Sequence, residues 1–341
     1  MEKHRIDSDR YSMADFYESE DTDLFAKTLP LKRFIDDWQK KGTYTYRRVI
    51  KSAPSNRATV WCHIKNADHQ AVMLASNNYL GLNTRPEVIH AAVRALEKYG
   101  TSMCGAPFLN GTFDLLTELE DRLARFEHCE AAMVFTTGYQ ANLGTISALM
   151  RSKDLVLMDR LSHASIVDGS RLAGCTVRSF KHNNVQHLDA LLKNNADRYK
   201  GKLIVVEGVF SMDGDRAPLP DIVRVARQYG ARVLVDEAHA TGVLGKTGRG
   251  TVEHFGLQDH VDLVVGTFSK TLASTGGFVA GSAPVINYIR HYARSYIFSA
   301  SPTPPNVAAA LKALEIVERE PELRDRLLKN VHYFHRELKK R

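Results

Sequence analysis

The chain has 341 residues, enough for one large core or two modest ones, and its 44% hydrophobic and 25% charged content is ordinary for a globular protein. No apolar run approaches the roughly 20 residues that cross a bilayer, and residues 1–7 lack the apolar stretch of a secretory leader. The reading is therefore a cytoplasmic protein without a transmembrane segment. The net charge of +7 is unevenly spread: residues 1–30 hold eight acidic against four basic side chains, and residues 40–57 hold six basic and no acidic ones. The basic stretch suits a solvated surface, or the rim of a site for a phosphate-rich or acidic carrier. No nucleic-acid motif accompanies it, so nucleic acid is not expected. Cys62, Cys104, Cys129 and Cys175 form no C-x-x-C pair and read as free thiols. Cys62-His63 followed by His69 does not make a convincing ligand set, and no metal is expected.

In chain order, an N-terminal arm is followed by an α/β pattern from about residue 70 to about 300. Apolar, β-rich segments recur at 131–135, 155–158, 203–207, 232–235 and 263–267, with helical patterns between them, as at 117–126 and 222–229. Alternating strands and helices predict a mostly parallel sheet. Near-continuous apolar strands predict that helices cover both of its faces. After Pro302 the pattern turns helical at 307–317 and 323–338. The domain expectation is an arm with the start of a small domain over 1–69, a large ligand-binding domain over 70–305, and the helical start of a C-terminal domain over 306–341.

Ligands of such sheets sit outside the carboxyl ends of the strands. Three charged or polar side chains stand at such ends. Lys270 closes the run Val261 to Ser269, where desolvation lowers an ammonium's pKa and turns the amine into a nucleophile. Asp236 and His239 cap the run Val233-Leu234-Val235. An aspartate, a histidine and a lysine at neighbouring strand ends suit pyridoxal phosphate, through its ring nitrogen, ring oxygen and aldehyde carbon. Thr136-Thr137-Gly138-Tyr139-Gln140 follows a strand and opens a helix, a natural place for a phosphate. His163, just beyond the strand that ends at Met158, is placed to lay its ring on a flat cofactor. Glycines 100 to 111 read as a loop. Val233–His239 also resembles the acidic box of an ATPase, but the accompanying Ala240-Thr241-Gly242-Val243-Leu244-Gly245-Lys246-Thr247 lacks the first glycine of a P-loop. It also follows the box directly instead of lying on an upstream strand.

Taken together, Ser76 to Leu82, Phe135 to Asn142, Ser162-His163-Ala164-Ser165, Gly208 to Gly214, Asp236 to His239 and Gly266 to Lys270 resemble the α-oxoamine synthases. These are fold-type I, class I/II aminotransferase-like pyridoxal-phosphate enzymes, and the resemblance runs from about Leu31 to the end. Within the family, Lys41 to Arg47, Phe108 to Thr112 and Phe298 to Ser301 resemble the bacterial serine palmitoyltransferases, with the 8-amino-7-oxononanoate synthases alongside. The resemblance implies that Lys270 carries the cofactor and moves the Cα proton, and that Asp236 pairs with the ring nitrogen. It implies that His239 and Ser211 lie at the ring oxygen, and that Gly138, Tyr139 and Thr267 hold the phosphate end. His163 is implied to stack on the ring and meet the substrate carboxylate, with Asn77 on the substrate side. The implied reaction is a decarboxylative condensation of an amino acid, serine first, with an acyl thioester, long-chain acyl-CoA first. Glycine, alanine or an acyl carrier protein are the variants, and a non-catalytic partner subunit is the reading of another class. A homodimer with shared sites is implied, the 298–305 segment reaching the neighbour's phosphate. Two departures stand out: Ala106-Pro107 replaces the Ser-Arg of the palmitoyltransferase pattern, and the chain ends where the family's small C-terminal domain, with its carboxylate-binding arginine, is expected.

Overall fold

A computed structural model describes residues 7–340 apart from Ser19 and His63, so the Cys62-His63 pattern lies partly outside the described residues. The chain divides after Ala75 into two compact units.

In the first unit a helix, Thr28–Lys40, is followed by an antiparallel hairpin of β1 (Arg57–Cys62) and β2 (Ala67–Val72). Phe16, Phe34, Trp38, Tyr44 and Tyr46 form a run of ring contacts around the helix. Part of the basic stretch is neutralised within this unit. Lys41 pairs with Asp7, Asp9 and Asp37, and Lys51 with Asp68.

The second unit is built on a seven-stranded sheet: β3 (Ala131–Phe135), β4 (Leu155–Asp159), β5 (Thr176–Phe180), β6 (Lys202–Glu207), β7 (Arg232–Asp236), β8 (Leu263–Thr267) and β9 (Gly277–Gly281). The strand order is β3-β9-β8-β7-β6-β4-β5. Every pair is parallel except those made by β9, which runs against both β3 and β8. Alternate residues of one strand feed opposite cores. Leu155 and Leu157 of β4 join one core with Ile204, Val206, Val233 and Val235, under the helices Val185–Lys193 and Leu219–Gln228. Val156 and Met158 of the same strand join the other with Val205, Leu234 and Val265, under Gly138–Leu149 and Ala283–Tyr292. Ala132, Val134, Phe278 and Ala280 of β3 and β9 face a third core with the helices Asp114–Phe126 and Pro304–Arg319. Helices thus cover both faces, as the unbroken apolar strands predict.

The helix Pro304–Arg319 buries Val307, Ala310, Leu314 and Val317 in that same core. Its residues therefore pack as part of the second unit. Two strands of the sheet escape a search for apolar runs. β5 is an edge strand whose Arg178 and Ser179 are exposed, and β9, Gly-Phe-Val-Ala-Gly, has glycine at both ends, a poor strand signal. No helix among the described residues is long and apolar enough to cross a membrane.

Candidate active site

The carboxyl ends of β3, β4, β6, β7 and β8 lie along one edge of the sheet, joined there by the start of the antiparallel β9. A cavity of about 300 Å³ opens at this edge, lined by Gly138, Tyr139, His163, Glu207, Asp236, His239, Thr267 and Lys270 among others. That volume is at the small end of ligand sites, which run from roughly 300 to 1,000 Å³. Seven of the residues singled out from the sequence therefore meet in one place. Asn77 and Ser211 do not line the cavity, and both are exposed.

Asp236 ends β7 with 5% of its surface exposed. Its Oδ1 accepts from Ala238 N at 2.9 Å, and its Oδ2 from Asn142 Nδ2 at 2.7 Å. Asn142 also donates to Ser165 Oγ at 3.1 Å, and Ser165 Oγ meets His163 Nδ1 at 2.8 Å. One hydrogen-bonded line thus runs from the aspartate at the end of β7 to the imidazole beyond β4. His163 also caps the helix Ala164–Leu172, its Nδ1 accepting from Ser165 N. Its ring stands edge-on to Tyr139, with centroids 6.1 Å apart, and the Tyr139 hydroxyl donates to Asp168.

Lys270 follows β8 and is largely buried. Burial lowers its pKa, against the pull of the Asp236 and Glu207 carboxylates. A larger share of the amine is therefore neutral at working pH, as a nucleophile or base requires. Burial, followed by the charges of Lys270 and His163, pushes His239 down to about 4. Its Nδ1 lies 2.7 Å from the Tyr79 hydroxyl. Glu207 ends β6, directly opposite Asp236 in register, and is 4% exposed. Burial and the neighbouring Asp236 push its carboxyl up to about 7.

Another part of the cavity wall is a backbone cradle. Thr137 caps the helix Gly138–Leu149 through its hydroxyl. A Cβ on Gly138 would stand 2.8 Å from Thr267 Cβ and Oγ1, and one on Gly277 would stand 2.5 Å from Gly138 Cα. Only glycine lets these segments approach so closely beside a helix N-terminus, where N–H groups and the helix dipole attract an anion. Thr267 Oγ1 is fixed by Gly276 O at 3.1 Å and Ser269 Oγ at 2.9 Å.

These residues fit pyridoxal phosphate: a cradle for its phosphate, a buried carboxylate for its ring nitrogen, a desolvated lysine for its aldehyde carbon. The Asn142 Oδ1 atom, buried without a partner, shows a polar wall whose hydrogen bonding is incomplete in the protein alone. Glu207, Asn142 and Ser165 are site residues that a search of the sequence passes over. Glu207 carries the same signal as Asp236, an acid at the tip of an apolar strand. Asn142 and Ser165 lie within the motifs quoted above, but their place in the line depends on tertiary structure.

Comparison with known proteins agrees with this geometry. The family model described as aminotransferase class I and II matches residues 69–341. The chain is 47% identical to a serine palmitoyltransferase of Sphingobacterium spiritivorum over 89% of its own length and 74% of that protein's. It is 42% identical to an 8-amino-7-oxononanoate synthase of Alkaliphilus metalliredigens, over 89% and 75%. A solved serine palmitoyltransferase from S. paucimobilis, bound to PLP and myriocin, superposes with a TM-score of 0.88 at 39% identity, covering 93% of this chain and 81% of that one. The chain belongs to the aminotransferase class I and II family, as a fold-type I pyridoxal-phosphate enzyme of the α-oxoamine synthase type.

Proposed function

We propose that the chain condenses serine with a long-chain acyl-CoA, releasing CO₂ and free CoA and leaving a 3-oxo amine. The observation that carries the condensation is Lys270, desolvated and facing Asp236 across one small cavity with His163 on its wall. The choice of serine and a long acyl chain is supported by the relatives named serine palmitoyltransferase.

Bound pyridoxal phosphate supplies an electron sink for the pair left on Cα when its hydrogen departs as a proton. Lys270 Nζ would hold the cofactor and, with its pKa lowered by burial, is suited to take that proton. Asp236, fixed by Asn142 and Ala238, would hold the ring nitrogen. His163, held through Ser165, presents its ring to the cavity and positions the amino acid. Cα then bonds to the thioester carbonyl carbon and the thiol leaves. The bond from Cα to the original carboxylate breaks, CO₂ departs, and a proton returns to Cα. His239 is neutral above about pH 5 and would offer the ring oxygen a hydrogen bond without adding charge. Ser211 and Asn77 remain proposed contacts at the ring oxygen and on the substrate side.

We further infer a homodimer. Phe108, Leu109, Tyr288, Tyr292 and Phe298 are exposed on segments tied together by the contact of Phe108 with His291 and the bond from Ser301 N to Gly105 O. Such an aromatic patch suits burial against a second copy. The 298–305 segment beside it would reach the neighbour's phosphate.

A second reading, with glycine or alanine as the amino acid, is favoured by the 8-amino-7-oxononanoate synthases among the relatives. The test is an absorbance titration of the cofactor-loaded protein with serine, glycine and alanine in turn, followed by thiol release from palmitoyl-CoA. A spectral change and thiol release with serine alone support the first reading. A response to alanine or glycine instead replaces it with the second, and spectral change without thiol release leaves a partner subunit.

A further inference from the structure

Glu207 is used by none of the steps above, yet it lies inside the cavity. Its Oε1 accepts the backbone N–H of His163 at 2.7 Å, and the main chain at Ser211 lies near enough to favour its ionised form. His163 begins the helix beyond β4, and Ser211 lies in the loop beyond β6. That loop is wound tightly on itself: Phe210 N donates to Asp215 O, Gly214 N to Phe210 O, and Ala217 N to Gly208 O. Its far end is held by Asp215, which meets His182 Nε2 at 2.9 Å and Asn183 Nδ2 at 2.7 Å. One buried carboxylate therefore holds the start of the helix beyond β4, beside the loop beyond β6.

We propose that Glu207 is a positioning residue for His163, setting the height and tilt of that ring over the cavity through the main-chain bond it accepts. This rests on the reading of the cavity as the cofactor site. An ionised carboxylate accepts an N–H more strongly than a protonated one, and Glu207 changes protonation near neutrality. The groups facing it are Asp236 from β7, Lys270 from beyond β8, and the N–H groups of His163 and Ser211. The grip on His163 therefore tightens as pH rises through about 7 and slackens below it.

The test uses cofactor-loaded protein labelled with ¹⁵N at histidine only, and compares wild type with Glu207→Gln and Glu207→Leu. In wild type the backbone amide signal of His163 lies far downfield and moves as pH goes from 6 to 8. In Glu207→Gln, which keeps an acceptor oxygen but not the titration, the signal stays downfield and no longer moves. In Glu207→Leu it loses its downfield position, and the dissociation constant for pyridoxal phosphate rises about tenfold, the equivalent of one buried hydrogen bond. A wild-type His163 amide that ignores pH between 6 and 8 overturns the proposal, as does an unchanged signal in Glu207→Leu. Because the signal is read without substrate, a protein that binds cofactor and fails to condense would refute the proposed function while leaving this result intact.

Discussion

Lys270 and Asp236 attract attention because each breaks the pattern of its strand. Leu263 to Val265 and Val233 to Val235 are apolar, and a charged group buried at the tip of such a run costs desolvation that pairing must offset. The structure gives that cost its use: burial lowers the lysine's pKa, so its amine is freer to gain and lose a proton. Replacing it, Lys270→Ala, removes the group proposed as both covalent hold and base. Turnover should fall by at least the roughly 10²- to 10⁴-fold that general base catalysis supplies, while the folding midpoint stays near wild type. Steady-state thiol release alongside a melting curve checks this. The same logic applied to β6 would have found Glu207. Asn142 and Tyr79 were out of reach of any such reading. Their partners Asp236 and His239 are 94 and 160 residues away in sequence, and only the fold brings them within bonding distance.

At the scale of elements, the turn from β3 into the helix Gly138–Leu149 shows how much of the site is backbone. The helix start faces the cavity because Gly138 and Gly277 lie against each other and against Thr267 with no room for a Cβ. Gly138→Ala forces the helix start away from β8 and β9. Overpacking of this kind costs typically 1–3 kcal/mol, and the phosphate end of the cofactor should lose affinity by tenfold or more. A fluorescence titration of pyridoxal phosphate would show it, and unchanged affinity would mean that the cradle is not the phosphate site. The glycines that make the cradle also hid part of the sheet. Gly277–Gly281 runs between β3 and β8; its terminal glycines weaken the strand signal, and Phe278 and Val279, packed on opposite faces, hold it in place. β5 was hidden for the opposite reason, as an edge strand that leaves Arg178 and Ser179 to solvent.

For the molecule as a whole, the parallel sheet and its covering helices were legible because hydrophobic strands buried on both faces leave an unbroken apolar signature. What the sequence did not convey is how many carboxylates the fold buries near the site. Glu237 is fully buried, accepting at Oε1 from Thr251 Oγ1 at 2.7 Å and from Val252 N at 2.8 Å. Burial pushes its carboxyl up to about 7, from an ordinary value of 4.5. A carboxyl raised in the fold binds its proton more tightly there than in the unfolded chain. Its contribution to stability is complete below about pH 4.5 and is lost as pH rises through 7. The loss is on the order of 3 kcal/mol. Glu237→Gln lacks this term, so the difference in Tm between variant and wild type should shift in the variant's favour from pH 5 to pH 8. His239 acts in the opposite sense, since a depressed histidine adds stability as pH rises from about 4 to 6.5. It is common to both proteins and cancels in the difference. A Tm difference that does not change with pH would show that Glu237 is ionised throughout.

One lysine, just beyond β8, is proposed to carry the cofactor in the cavity lined by Gly138 and Asp236. Borohydride reduction of the cofactor-loaded protein, followed by proteolysis and peptide mass spectrometry, tests it directly. A single reduced pyridoxyl adduct is expected on Lys270, and none on the exposed lysines. An adduct on another lysine, or no adduct after loading, would contradict it.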